Sequence, residues 1–138
     1  MDSVRITTQN IEQYRGKLGF RLGDLPFEMW QVFDRSAYDA CGTGMIVPIE
    51  KIVSTKNQLL DPKFIAGQKG DPRHTAFKWM TAAAKGQTKR RDPITATSAR
   101  DGTFLVNDGN ATIQVLMFVG WPEAPVAIVH VDDKQRVI

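Results

Sequence analysis

Five consecutive residues, Asp108-Gly109-Asn110-Ala111-Thr112, carry the clearest chemical signal in this chain. Phe104-Leu105-Val106-Asn107 before them reads as a short strand, and Ile113, Leu116, Met117 and Gly120 after them follow helical spacing. A turn from strand into helix leaves the first helical amides without an internal acceptor, and such amides can hold a phosphate or sulfate. Gly109 would permit close approach of an oxygen-rich ligand, and the amides of Asn110, Ala111 and Thr112 would surround it. The Thr112 hydroxyl and the Asn110 side-chain amide add donors. Asp108 is the candidate catalytic residue, as a magnesium ligand in a hydrolase. The plainer alternative is that Asp108 or Asn110 only caps the helix. Any metal set is unknown from the sequence, with Asp92 and Asp101 the only companions considered for Asp108.

Charge distribution supplies a second feature. The net charge is +3 over 138 residues, but residues 45–100 hold eleven basic and four acidic side chains, while residues 1–44 and 101–138 are each net acidic. The basic excess is densest at Lys85-Gly86-Gln87-Thr88-Lys89-Arg90-Arg91. Lys85, Lys89, Arg90 and Arg91 are therefore candidate nucleic-acid-binding residues, acting by charge neutralisation without base recognition. The alternative is a solvated loop between packed elements. His74 reads as a surface group, with His130 a remote partner only if the fold joins them. One cysteine, Cys41, excludes an internal disulfide and a thiolate metal cluster.

The elements that must position these residues follow from pattern. Met45-Ile46-Val47-Pro48-Ile49 predicts a short strand whose proline suits an edge or an end, followed by a helical turn through Val53. Residues 54–70 read as a loop, the best position for a lid or variable rim. Asp71 as cap and Pro72 at the first helical position open a helix with Ala76, Phe77, Met80, Ala83 and Ala84 on one face, closing at Lys85-Gly86. Pro93 to Thr97 predicts a strand, and Asp101-Gly102 a hairpin connection. The apolar run from Pro125 to Val131 suits the centre of a sheet covered on both faces. Trp121-Pro122 would pack over a sheet edge. The expectation is an α+β domain, a small mixed β-sheet with packed helices at residues 45–138, preceded by an N-terminal arm at residues 1–44. Gly16, Gly19 and Gly23 argue against a long helix in that arm, and a short helix could start at Pro26. Its Phe27, Trp30 and Phe33 are packing residues or, if exposed, a protein-interaction surface.

No apolar run reaches the roughly 18 to 20 residues that span a bilayer, and no basic segment precedes an apolar leader core. A cytoplasmic protein without a membrane partner is expected, as monomer or homodimer.

From Met45 to Val131 the order of segments resembles the ParB/sulfiredoxin-like superfamily. The resemblance rests on Pro48-Ile49-Glu50-Lys51-Ile52, an amphipathic helix, Pro93-Ile94, Asp101-Gly102, Phe104 to Asn110, a helix, Gly120-Trp121, and Pro125-Val126-Ala127-Ile128-Val129. It implies a turn that contributes to phosphate, nucleotide or DNA binding. The group includes plasmid-partition proteins that bind CTP, a sulfinic-acid reductase that uses ATP, and proteins described as nucleases or ATPases. By that resemblance the cofactor would be Mg2+ with ATP or CTP. Asp108, Gly109 and Asn110 match the acidic, glycine and asparagine positions of the Asp-Gly-Asn-His-Arg form, but Ala111-Thr112 replaces His-Arg. A cationic clamp and a proton-transfer imidazole are both missing at those positions. Asn110 stands where the sulfiredoxin motif has cysteine, so thiol chemistry is not expected.

Three functions follow as expectations. The first is a small nucleotide- or nucleic-acid-phosphate-binding module using Gly109–Thr112 and the basic loop. The second is a magnesium-dependent nuclease or nucleotide hydrolase working through Asp108. The third is a catalytically inactive protein-interaction or inhibitory adaptor from a plasmid or mobile element, with affinity carried by Phe27, Trp30 and Phe33.

Overall fold

Residues 110–119, Asn-Ala-Thr-Ile-Gln-Val-Leu-Met-Phe-Val, are apolar on nearly every side, and a helix of that kind is stable only when surrounded by protein. The computed structural model describes residue 11, residues 19–54 and residues 72–131, the last two of these without their side chains. In it every residue from Thr112 to Val119 is buried, and the rest of the domain is arranged around this helix.

The described elements run in the order α1 (Met29–Val32), α2 (Arg35–Cys41), β1 (Gly44–Pro48), a 3-10 turn (Ile49–Lys51), β2 (Ile52–Val53), α3 (Pro72–Ala84), β3 (Ile94–Ser98), β4 (Phe104–Asp108), α4 (Asn110–Val119) and β5 (Glu123–Val131). The strands form one five-stranded mixed sheet in the order β1-β5-β3-β4-β2. β1 with β5 and β3 with β4 are antiparallel, while β3 with β5 and β2 with β4 are parallel. The molecule is thus a small α+β domain with a mixed sheet and packed helices.

The continuous apolar character of β5 is explained by its place between β1 and β3. Register pairs Ile94 with Val126 and Thr95 with Ala127, so these pairs alternate between the two sheet faces. Ile94 and Val126 join the core that contains Ile113 and Leu116 of α4. Thr95 and Ala127 face a groove shared with Ala37, Ala40 and Cys41 of α2. Ala76, Met80 and Ala83 are the buried stripe of α3, which packs on α4.

Residues 20–33 bury Phe20, Leu25, Val32 and Phe33 in this same core. The Phe20 ring stacks on Phe118 at 5.4 Å and meets Phe77 edge-on at 5.5 Å. Trp121 is 4 % exposed, and its indole N–H donates to the Leu25 carbonyl at 2.9 Å. It packs against Phe27 and Phe33 of the arm, not simply over a sheet edge.

Several expectations shift in detail. The helix foreseen at Pro26 starts at Met29. The unforeseen α2 is held at its start by the Asp34 carboxylate, which accepts from the Ala37 amide at 3.2 Å, and ends at Gly42 with φ +70°. Asp71 and the rim at residues 55–70 lie outside the described residues. Among the described residues no helix is long and apolar enough to cross a membrane.

Candidate functional site

Gly109 links β4 to α4 with φ +106° and ψ 21°, a left-handed conformation that non-glycine residues adopt at a cost of about 1–2 kcal/mol. A Cβ there would also meet Ile94 Cγ1 at 3.2 Å. The chain needs a glycine at this point both for its dihedral angle and for close passage over β3. Gly109, not Asp108 or Asn110, is the N-cap residue, and among the described residues no side-chain capping hydrogen bond is made there. This corrects the capping role read for those two side chains: Asp108 ends β4 with its carboxylate exposed, before the chain turns. The first intrahelical bond is Ile113 N–H to Gly109 O at 2.9 Å, so the amides of Ala111 and Thr112 have no acceptor within the helix.

The Asn110 side chain is directed elsewhere. Its Oδ1 accepts from the Ser54 hydroxyl at 2.9 Å, and Ser54 Oγ in turn accepts from Gln114 Nε2 at 2.7 Å. Ser54 is fully buried and Gln114 only 4 % exposed, so this relay satisfies two polar groups inside the core and fixes the first turn of α4 to the end of β2.

A pocket of about 260 Å³ opens beside this helix start, lined by Gly109, Thr112 and Asp108 together with Lys89, Arg90 and Arg91. Two segments some twenty residues apart, each singled out by its sequence, share this pocket. Trp79 and Asp92 line it as well, and Lys85 does not. Lys85 remains at the end of α3, where its amide donates to Thr81 O at 3.2 Å.

The basic segment is held in place by its backbone. Arg91 N–H donates to Val32 O at 2.8 Å, and Asp34 N–H donates to Arg91 O at 2.7 Å, so the chain makes a short parallel bridge beside Phe33. The Trp79 indole N–H donates to Lys89 O at 2.9 Å. Arg91 then projects from a fixed base: its Nη2 donates to Thr112 Oγ1 at 3.0 Å, and its guanidinium lies over the Trp79 ring at 5.9 Å from the centroid. Thr112, only 2 % exposed, therefore positions the guanidinium against the helix start. Burial pushes the Arg91 guanidinium below its usual value, while Asp108 and Asp92 pull it back up. It stays cationic, as arginine does in proteins, and its partial desolvation strengthens any anion contact it makes.

The remaining candidates are dispersed. Asp101 occupies the β3–β4 hairpin, where its carboxylate accepts from the Thr103 amide at 3.0 Å and hydroxyl at 2.6 Å. Those bonds hold it below the usual carboxylate range. From Phe104, just past the hairpin that holds Asp101, to Asp108 is roughly 13 Å of extended chain, too far to share one ion. Asp92 alone is left beside Asp108. Among the described residues no group of three His, Cys, Asp or Glu side chains is suited to a metal ion. The pocket lining sets the three cations Lys89, Arg90 and Arg91 against the carboxylates of Asp92 and Asp108. The His74 ring lies 5.8 Å from Phe20, and a pairing with His130 falls outside the described side chains.

Of the three arm aromatics, Phe33 is wholly buried, so its area is already used within the fold. Trp30 is partly buried against Tyr38, with Arg35 over its ring at 5.3 Å. Phe27 is 47 % exposed. The residue that sequence reasoning missed is Trp79. Its spacing from Ala76 and Ala83 fits the buried stripe, so helical periodicity hides its 43 % exposure, and a large aromatic ahead of a basic run was the available signal. No protein-family model and no curated protein sequence matches this chain.

Proposed function

We propose that this chain is a small phosphate-binding module whose ligand is a nucleotide or a nucleic-acid strand. One observation carries the reading: the start of α4 and the residues Lys89, Arg90 and Arg91 line a single pocket. Helix amides and a positive macrodipole end favour an anion, and three cations favour a polyanion. Arg91 adds a planar donor fork of the kind that recognises phosphate. The hydrogen bonds that fix Lys89 and Arg91 from the backbone reduce the ordering cost of binding. The finer assignment of the domain as ParB/sulfiredoxin-like, and a cytoplasmic setting, belong to the same proposal and rest on the sequence resemblance.

Asp108 lies on the pocket wall, where a carboxylate facing Arg91 can set the guanidinium's orientation. The proposal requires no turnover.

The test is direct binding of a fluorescent single-stranded oligonucleotide and of a nucleoside triphosphate across a range of salt. Affinity should fall with salt, and replacing Lys89 and Arg90 by alanine should flatten that dependence by about one unit of slope for each phosphate no longer neutralised. Binding that is absent, or indifferent to these substitutions and to Arg91→Ala, would reject the reading.

A further inference from the structure

One exposed wall of the pocket is aromatic. Trp79 is 43 % exposed although it belongs to a helix with a well-buried stripe. Its indole N–H is tied to Lys89 O, which fixes the ring orientation, and the Arg91 guanidinium lies over part of the ring. An exposed indole among three cations gains little from inorganic phosphate, which offers it no flat surface. A phosphate that carries an unpaired nucleobase offers both halves of the match: charge for the arginines and a π-face for the indole.

We infer that Trp79 is the specificity-determining residue of the pocket, stacking an unpaired nucleobase whose phosphate lies against Arg91 and the start of α4. This inference rests on the phosphate-binding reading and adds the class of ligand. A duplex, with its bases already paired and stacked, cannot present a face to Trp79. The shared chemistry is a base-bearing phosphate, supplied by a free nucleotide or by a single strand.

Backbone-assigned NMR titrations at one ionic strength test it, with ribose 5-phosphate, the matching nucleoside 5′-monophosphate, a short single-stranded oligonucleotide and its duplex as probes. Readouts are the Trp79 indole N–H and the amides of Gly109 to Thr112. The nucleotide should bind about five- to 150-fold tighter than ribose 5-phosphate, the range expected for one stacked base. Trp79→Leu should erase that difference, and any loss of ribose 5-phosphate binding that comes from the broken hydrogen bond to Lys89 O should be matched in Trp79→Phe. Trp79→Phe also loses the hydrogen bond to Lys89 but keeps a stacking face, so it should retain most of the discrimination. A single strand that outbinds both the duplex and the mononucleotide would identify a strand as the source. A mononucleotide that binds as well as the strand would identify a free nucleotide. Equal binding of nucleotide and ribose 5-phosphate, or discrimination that survives Trp79→Leu, would overturn the role of Trp79 and leave the phosphate site standing. Failure of every probe to shift the Gly109 to Thr112 amides would overturn both.

Discussion

The two ends of α4 are built in opposite ways. At its C-terminus, Gly120 in a left-handed conformation closes the helix, with the amides of Gly120 and Trp121 both donating to Leu116 O at 3.1 and 3.0 Å. Gly23 N–H donates to Val119 O at 3.0 Å, so the arm also satisfies that end. At its N-terminus a glycine again sets the turn, but among the described residues no side chain caps the amides, and the surroundings are charged. One end is satisfied from within the fold, and the other is left facing a charged pocket. That pocket also holds the carboxylates of Asp92 and Asp108, which offset part of the Arg91 charge. Three cations against two carboxylates leave a net positive lining, and this excess at a helix N-terminus is what favours an anionic ligand.

Substitutions that separate stability from binding sharpen this contrast. The largest stability loss belongs to the closed end: Trp121→Ala removes a buried ring and its hydrogen bond to Leu25 O and should destabilise the fold by about 3–5 kcal/mol in urea denaturation. If folded Trp121→Ala is obtained at low temperature, its phosphate affinity should change far less than its stability, because Trp121 reaches the pocket only through Phe33 and the Arg91 bridge. At the open end, Gly109→Ala should cost about 1–3 kcal/mol through its φ of +106° and the approach to Ile94, and should also weaken phosphate binding. Loss of stability without loss of affinity there would break the comparison.

Arg91→Ala should show the reverse profile. Removing its charge-assisted hydrogen bond to phosphate is worth about 1.5–3 kcal/mol of binding, roughly a ten- to 100-fold rise in Kd by calorimetry. Stability should change little, or rise, since a half-buried cation beside a helix N-terminus is itself unfavourable. Arg91→Lys should recover only part of the affinity, because lysine lacks the planar fork that reaches Thr112. The smallest effect concerns Asp101, remote from the pocket. Hydrogen bonds from Thr103 lower its folded pKa, so its stabilising contribution is present above the unfolded carboxylate value and fades as pH falls through the folded one. Asp101→Asn should slightly flatten the acid limb of a thermal-denaturation pH profile and leave binding untouched.

Much of the scaffold was legible because it obeys simple periodicities. Pro72 opens α3, Gly120 closes α4, and the mostly apolar β5 is an interior strand, although the middle place belongs to β3 and Val129 is exposed. The helix α2 was not legible from hydrophobic spacing because none of its residues is buried, although Asp34 and Gly42 stood in the sequence as its caps. The packing of Phe20, Leu25 and Phe33 on α4 is a long-range event that local pattern cannot encode. The Gly109 turn and the basic run were each visible as local chemistry, whereas their meeting depends on Arg91 being bridged to Val32 and Asp34. Trp79 escaped notice for a related reason, since its value lies in what surrounds it in space.

The most direct measurement is an amide and arginine side-chain NMR titration of the full chain with inorganic pyrophosphate at fixed ionic strength. The account predicts saturable shifts of the Ala111 and Thr112 amides and of the Arg91 guanidinium, all fitting one affinity. Shifts confined to Lys85, Lys89 and Arg90 with an unmoved helix start, or no saturable shift in either segment, would contradict it.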